Sequence, residues 1–289
     1  MVAHGLALGL YTDNKVPMEH KNDWEARGYS IISPNKTSFS EGDNITLERP
    51  DSNSKNNLEK LLQERNKEEK LVQLIQNVNG KSQLDNVVTK VEWIVKKQKV
   101  EPEEILIIDL NTKNSKAHFE YLRQQLDYKD VKCITPGFIE SNDSFKEPGY
   151  VTLSTPFRAK GNEANVVFII NSNRILVDST FRIRNSLFVS ITRSRGWCYI
   201  CTNGKNNEKL KEEIDKIVND YPKFIFTFPS IESIRRRYSI LSSNKDLEKF
   251  DKEIDTILGN EDLNALLIEK LLEDPTFIKR LNKNNKDGH

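Results

Sequence analysis

The chain has 289 residues, of which 36% are hydrophobic and 30% charged, so it can build a sizeable core for one or two domains. Lys and Arg number 44 against 43 Asp and Glu, and the net charge of +1 excludes a generally basic coat for nucleic acid while allowing a local basic patch. No apolar run approaches the ~18 residues of a membrane span, the N-terminus lacks the basic region of a signal peptide, and three cysteines make no disulfide framework. We therefore expect a cytoplasmic protein with no membrane segment.

The first 57 residues are predicted to form an N-terminal segment of their own. Residues 1–11 are apolar and have no capping residue before them, so the segment is expected to continue from a missing upstream part. Two β-prone runs, 24–32 and 44–47, are separated by a polar loop and predict a hairpin-like excursion.

Residues 58–229 alternate between helical and strand-like patterns. Apolar spacing predicts helices over 57–77, 84–99, 115–126 and 208–221, and short apolar runs predict strands over 104–110, 130–135, 151–154, 165–171, 197–202 and 223–228. This alternation predicts an α/β fold, a mostly parallel sheet flanked by helices. Residues 230–289 show only helical patterns, which predict a helical C-terminal appendage.

The stretch Ser154-Thr-Pro-Phe-Arg-Ala-Lys-Gly-Asn-Glu163 lies between two predicted strands. Gly161 permits a tight turn or a close approach of the backbone to a ligand. Arg158 and Lys160 can reach phosphates, and Glu163 can accept hydrogen bonds from a sugar hydroxyl. The alternative is a basic surface loop, and this stretch alone does not decide between the two.

A second block, NSLFVSITRSR, covers residues 185–195. Leu187, Ile191 and Ser194 could face the sheet from a helix that brings Arg193 to its C-terminal end. A guanidinium at that place can pair with a phosphate through two hydrogen bonds. The alternative is an ordinary helix-end arginine that interacts favourably with the helix dipole, and the block alone favours this alternative.

Taken together, the two blocks resemble one family. STPFRAKGNEANVVFI resembles motif V of superfamily 1 helicases of the UvrD/Rep type, and NSLFVSITRSRG resembles their motif VI, with the same order, spacing and flanking strands. The rest of residues 58–228 resembles in outline the second, C-terminal RecA-like domain of these enzymes.

The resemblance implies a reaction and a nucleotide site. The chain would be the C-terminal half of an ATP-dependent helicase or translocase, an ATP hydrolase. Arg193 would contact the γ-phosphate of ATP as an arginine finger, and Gly161 and Glu163 would lie near the nucleotide sugar. ATP with Mg²⁺ would be held mainly by a missing N-terminal domain that carries a phosphate-binding P-loop.

The same resemblance implies a binding surface for a single strand of nucleic acid, with DNA favoured over RNA. Thr155, Phe157, Arg158 and Lys160 would form it. Phe157 stands where the family often has His, and Asn162 where it often has Leu. The first departure leaves the strand contact open, and Phe157 could instead stack on a base.

Asn79-Gly80-Lys81-Ser82 imitates the end of a P-loop, G-x-x-x-x-G-K-[ST]. Ile75 occupies the first glycine position, and a helix rather than a strand is predicted before it. We therefore interpret Gly80 as a glycine that terminates a helix. No acidic strand end of the kind that binds Mg²⁺ is evident either, so the chain alone is expected not to hydrolyse ATP.

Two further patterns are interpreted as structural. Cys198 and Cys201 match C-x-x-C but lie in a predicted strand, where positions three apart face opposite sides, so both are expected to pack in the core. The four histidines are scattered and predict no metal site.

Two functions remain open at this point. One is the helicase half described above. The other is a stand-alone, degenerate helicase-like module that binds nucleic acid or protein without ATPase activity.

Overall fold

The structure is a computed structural model, and it describes residues 1–54, 57–65, 70–141, 144–177, 181–204 and 207–234. The chain divides into two compact units, residues 1–237 and residues 238–289, and the described residues all lie in the first. Of the predicted helical appendage, residue 230 is not helical, residues 231–234 are helical, and residues 235–289 lie outside the described residues.

The described elements alternate as the sequence predicted over most of the first unit. The helices are α1 (Val2–Leu8), α2 (Lys21–Glu25), α3 (Asp51–Ser54), α4 (Asn57–Glu64), α5 (Gly80–Lys96), α6 (Ser115–Asp127), α7 (Arg174–Val177), α8 (Phe181–Ile191) and α9 (Asn207–Asn219). The strands are β1 (Ser30–Ser33), β2 (Asn44–Glu48), β3 (Val72–Asn77), β4 (Ile105–Asp109), β5 (Lys132–Ile134), β6 (Tyr150–Ser154), β7 (Ala164–Ile170), β8 (Ser194–Asn203) and β9 (Lys223–Thr227).

Six strands form one sheet in the order β3-β8-β7-β4-β6-β5, and every neighbouring pair is parallel. β4 is buried on both faces, as its ILIID sequence requires. Its alternate residues enter two separate cores, because successive side chains of a strand point to opposite faces. One core contains α5 and α6, and the other contains α1, α8 and α9. The predicted α/β, RecA-like architecture is thereby confirmed.

A second, antiparallel sheet has the order β1-β2-β9. β1 pairs with β2 through a register shift between Ile31 and Ser33, so the predicted hairpin is confirmed, although Trp24 lies on α2 rather than in a strand. β9 pairs with β2 from Asn44↔Thr227 to Glu48↔Lys223. Segments that were assigned to residues 1–57 and 58–229 therefore share a sheet, while the domain boundaries stay predictions.

The helix predicted over 57–77 is wrong in its second half. α4 ends at Glu64, and residues 72–77 form β3, which pairs with β8 from Val72↔Cys198 to Asn77↔Asn203. The run LVQLIQN fits either a helical or a strand period, and pairing with a neighbouring strand decides between them.

Gly80 begins a helix instead of ending one, which corrects a second prediction. The Asn79 side chain accepts a hydrogen bond from the Ser82 amide at 2.9 Å, and Ser82 Oγ accepts one from the Asn79 amide at 3.1 Å. This reciprocal capping box fixes the start of α5. Only two residues separate β3 from α5, which is too short for a loop that wraps a phosphate, and Ile75 lies within the strand. The helix predicted before Gly80 is therefore a strand, β3, but the residues between β3 and α5 do not form a P-loop.

The two cysteines of the C-x-x-C pattern face opposite sides of the sheet, as predicted. Cys198 lies in the core beneath α8, and Cys201 lies in the core beneath α5 and α6. Burial raises the pKa of the Cys198 thiol to about 12 and raises that of Cys201 as well. Neutral thiols on opposite faces serve as small apolar core groups.

Candidate functional site

Residues 155–163 connect β6 to β7 in the large sheet. β6 ends at Ser154 and β7 begins at Ala164, and both strands point the same way on either side of β4. The connection must therefore return from the carboxyl ends of the parallel strands, here called the carboxyl edge, to their amino ends, the amino edge. Nine residues reach about 30 Å when extended, and a five-residue strand is about 17 Å long, so the span is ample. Thr155 therefore lies at the carboxyl edge, and Glu163 lies at the amino edge.

Glu163 and Arg193 directly precede the neighbouring strands β7 and β8 at the amino edge, and Gly161 lies two residues before Glu163. The Ala164 amide donates a hydrogen bond to the Arg193 carbonyl at 3.0 Å, so the residues just before β7 and β8 lie side by side. Gly161 has φ +88, and a Cβ there would meet no atom within 4 Å, so the left-handed backbone, not lack of space, requires glycine. Glu163 is exposed.

Arg193 follows α8, which ends at Ile191, and its side chain is half-buried. Its Nε donates to the Val189 carbonyl at 3.0 Å, and an Nη atom donates to Thr192 Oγ1 at 3.2 Å. In the part of the chain that the structure describes, no carboxylate pairs with its guanidinium. The positive charge is oriented by neutral acceptors and is not neutralised by them.

Arg195, two residues further on, is bound differently. Its Nη2 pairs with Glu104 Oε2 at 2.6 Å. Glu104 also contacts Lys146 at 3.4 Å and accepts a bond from the Asn165 amide at 3.2 Å. Of the two arginines in the second block, Arg195 is therefore the one with a carboxylate partner among the described residues.

The residues predicted to bind a strand lie nearer the carboxyl edge. Thr155 directly follows β6 and is buried, whereas the Phe157 ring is 61% exposed. Arg158 Nη1 donates to the Pro136 carbonyl at 3.0 Å, and its guanidinium lies 4.9 Å from the centre of the Phe138 ring. Lys160 is exposed on the same connection. Six of the seven predicted residues thus follow one another along a single connection, from Thr155 at the carboxyl edge to Glu163 at the amino edge, and Arg193 lies at the amino edge.

Sequence reasoning missed a polar network at the carboxyl ends of β4 and β7. Buried Asp109 accepts hydrogen bonds from Asn171 Nδ2 at 2.7 Å and from the Asn111 amide at 2.8 Å, and it contacts His118 Nδ1 at 2.6 Å. Gln83 completes the network by binding the Asn171 amide at 2.7 Å. The bond to Asp109 raises the pKa of His118 against the opposing effect of burial. No local motif marks these residues, since they lie on four separate elements.

Among the described residues, neither a metal-binding cluster nor a membrane-spanning helix is found. They contain no group of three or more His, Cys, Asp or Glu side chains that could hold a metal ion. None of their helices combines the length and apolar character that a membrane span requires.

Comparison with known proteins agrees with the two motifs. Residues 150–201 match the family described as the UvrD-like helicase C-terminal domain. Among solved structures, the chain is similar to the C-terminal domain of a possible DNA helicase from Lactobacillus plantarum WCFS1, at 18% identity and a TM-score of 0.37, over 47% of this chain and 76% of that one. No curated protein matches the chain. The family match confirms the resemblance for residues 150–201, which contain both motif-like blocks and all seven predicted site residues.

Proposed function

We propose that this chain supplies the C-terminal RecA-like half of an ATP-dependent helicase or translocase. A partner domain with a P-loop would hold ATP and Mg²⁺, and the chain would add an arginine finger and contacts to a single DNA strand. The single observation that carries this proposal is the course of residues 155–163. They begin among the predicted strand-binding residues at one edge of the sheet and end beside Arg193 at the other.

The amino edge suits a polyphosphate supplied from outside. ATP contributes the phosphoryl group that is transferred, and Arg193 would stabilise charge on it. The guanidinium has donors to spare, because its described bonds use Nε and one Nη atom and involve no carboxylate. Exposed Glu163, next to the backbone contact between Ala164 and Arg193, would accept hydrogen bonds from the nucleotide sugar.

The chain by itself should not turn over ATP. Its one P-loop-like stretch has two residues between β3 and α5, and Ile75 replaces the first glycine. A steady-state ATPase assay on the purified chain, with and without single-stranded DNA, should show no strand-stimulated hydrolysis. Stimulated turnover at ordinary enzyme rates would exclude a finger-supplying half. If no partner domain ever restores hydrolysis, the chain is the non-enzymatic module instead.

Strand binding by the chain should be weak and sensitive to salt. A net charge of +1 means that few phosphates can be neutralised at once. Affinity should fall with added salt at a slope of about −0.7 per phosphate contact on a log–log plot, and Lys160→Ala should reduce the slope. Binding that neither salt nor Lys160→Ala affects would point to a protein partner.

Arg193 provides the sharpest test in the assembled helicase. Arg193→Ala should lower turnover by roughly 10³-fold or more, the scale of other arginine fingers. ATP binding should weaken far less, since the contact matters most as charge develops in the transition state. Arg193→Lys should not restore turnover, because an ammonium lacks the planar fork.

Arg195→Ala is the matched control, because that side chain already pairs with Glu104. It should leave turnover much closer to the wild-type value. Thermal melting separates the catalytic from the structural role of Arg193. A large fall in the melting midpoint of Arg193→Ala would assign it to the fold, and an unchanged midpoint with lost turnover would assign it to catalysis.

A further inference from the structure

β3 is an outer strand of the six-stranded sheet, and one of its sides is open. The carbonyls of Leu71 and Asn77 accept hydrogen bonds at 2.7 and 3.1 Å from β8 and from the residue directly after it. Because main-chain groups alternate in direction along a strand, those of Val72, Leu74 and Gln76 point away from β8. In the part of the chain that the structure describes, no group bonds to these outward N–H groups and carbonyls.

The other three outer strands are each protected against pairing with a further strand. β5 has only three residues and begins with the charged Lys132. β1 contains a register shift between Ile31 and Ser33. In β9 the Ile225 amide donates to the Tyr11 hydroxyl at 3.2 Å. Short length, charge, irregular register and covered main-chain groups are the usual means by which proteins prevent unwanted pairing at a sheet edge.

β3 has none of these protective features. Its six residues, VQLIQN, include no charged residue and no proline. They pair with β8 in a continuous register, without a bulge. A long, regular and uncharged outer strand is a template on which an extended chain can pair.

A groove of about 520 Å³ lies beside the open side of β3, between this strand and α9. Val72 and Leu74 of β3 and Ile214 and Val218 of α9 contribute apolar side chains to it. In a strand added beside β3, the side chains paired with Val72 and Leu74 would lie on the face of the sheet that carries α9. Because side chains alternate between the two faces, every second residue of the added strand would enter the groove.

We propose that the open side of β3 binds an extended peptide of a partner protein, which joins the sheet as a further strand. The outward main-chain groups select an extended chain, because such a chain has free N–H and carbonyl groups to offer in return. The groove selects apolar side chains at alternate positions of the peptide. A second copy of β3 fits less well, because its Val72 and Leu74 are already packed against their own core. The site shares no residue with the two motif-like blocks, so the proposal is independent of the proposed function.

The probe is a fluorescently labelled peptide as long as β3, in which valine and threonine alternate. Fluorescence anisotropy with the full chain should show saturable binding. Isotope-edited infrared spectroscopy should show that the carbonyls of the bound peptide have joined a β-sheet. The absence of saturable binding, or a bound peptide whose carbonyls do not join a sheet, would overturn the proposal.

Two N-methylated forms of the peptide provide a test that needs no variant of the chain. One form is methylated on the valine amides, and the other on the threonine amides. Only one of these two sets can face β3, because the main-chain groups of a strand alternate in direction. One form should therefore bind like the unmodified peptide and the other should lose binding, whereas equal affinities of the two forms would exclude strand addition.

Gln76→Pro removes one outward N–H group and no hydrogen bond to β8, and proline is tolerated at such positions of an outer strand. It should weaken peptide binding by about 2- to 12-fold, the factor that corresponds to one net hydrogen bond. Gln76→Ala is the matched control, because it keeps the N–H group and removes only the side chain, which bonds to Glu208 at 3.1 Å. It should bind like the wild type, and equal losses for the two variants would count against pairing along β3.

Val218→Glu tests the groove without changing β3. Val218 is 36% exposed, and a carboxylate in its place should weaken binding of the peptide because the alternate valines would then meet a charge. Ile225→Glu is the matched control, since Ile225 is 49% exposed on β9 of the other sheet, and it should leave binding unchanged. Unchanged binding by Val218→Glu would exclude the groove as part of the site.

Light scattering separates a peptide from a second copy of the chain. The chain should remain monomeric at the concentrations of the binding assay. A dimer that Gln76→Pro dissociates would assign the open side of β3 to a second copy and overturn the proposal. Thermal melting shows whether Gln76→Pro folds; if it does not, the methylated peptides and Val218→Glu decide the matter.

Discussion

The buried ion pair between Arg184 and Glu213 gives a prediction about what holds α8 in place. Arg184 on α8 is 6% exposed and Glu213 on α9 is 3% exposed. Two hydrogen bonds join them, at 2.8 and 3.2 Å, and Arg184 also donates to the Leu6 carbonyl of α1 at 2.6 Å. One guanidinium thus connects α1, α8 and α9, three helices that pack on this face of the sheet.

Arg184→Met should remove this connection and leave a buried carboxylate. Breaking a buried pair by removing one partner costs about 3–5 kcal/mol, and the lost bond to Leu6 adds roughly 1 kcal/mol. For a domain of this size each kcal/mol lowers the melting midpoint by about 2–4 °C. We expect a fall of roughly 8–24 °C at neutral pH on the same scale.

The stability lost on Arg184→Met should also depend on pH. Burial raises the pKa of Glu213, and Arg184 opposes this effect. Without Arg184 the folded-state pKa rises further above the unfolded value. Stability linked to a raised pKa is present below the unfolded pKa, about 4.3 for Glu, and is lost as pH rises through the folded pKa. Arg184→Met should therefore be least damaging in acid and most damaging at neutral pH.

Urea unfolding followed by circular dichroism measures both effects. The double variant Arg184→Met/Glu213→Leu should recover most of the loss, because an apolar pair of similar volume often replaces a buried ion pair at no cost. Lys211→Met is the matched control, since Lys211 pairs with Asp215 on the exposed face of α9, and it should leave the midpoint unchanged. A single variant that costs less than about 1 kcal/mol, or a double variant as unstable as the single one, would refute the reasoning.

Two further predictions concern single residues. His118→Asn should destabilise the fold most in acid, because Asp109 raises the His118 pKa and that stability is lost as pH rises through the folded-state value; a melting difference that does not vary with pH would contradict this. Gly196→Ala should cost about 1–3 kcal/mol, because its Cβ would lie 2.8 Å from the Asn165 carbonyl oxygen. Gly80→Ala, whose Cβ would meet nothing within 4 Å, is the matched control in the same melting assay, and equal losses for the two would contradict the clash.

The sheet could be predicted because its central strands have unambiguous sequences. ILIID of β4 and ANVVFII of β7 are almost wholly buried, and continuous apolar runs that are short and rich in β-branched residues favour a strand covered on both faces. Residues 72–77 were misassigned because β3 lies at the edge of the sheet and is mostly half-buried. An edge strand has a weaker pattern, and its identity depends on a partner far away in sequence.

The candidate site was predictable only where a contiguous motif carries it. Gly161, Glu163 and Arg193 were proposed from two blocks whose order and spacing are distinctive, and their roles stay predictions. The polar network around Asp109 was not, since its partners His118, Asn171 and Gln83 lie far apart in the sequence. Contacts between loops of separate strands leave no periodic signal in the sequence.

The two edges of the sheet are connected by packed elements, so the domain should move as one body. α8 runs from Arg182, beside Phe157, almost to Arg193, and its Leu187 and Ile191 are buried against the sheet. Native-state hydrogen exchange tests this, and amides of α8 and β7 should exchange only through global unfolding, with similar opening free energies. Arg184→Met should lower both by the same amount. If α8 opens far more readily than β7, then α8 moves separately, and Arg193 could shift relative to the carboxyl edge within the domain. If they open together, any displacement of Arg193 towards a partner domain must carry Thr155 and Phe157 with it.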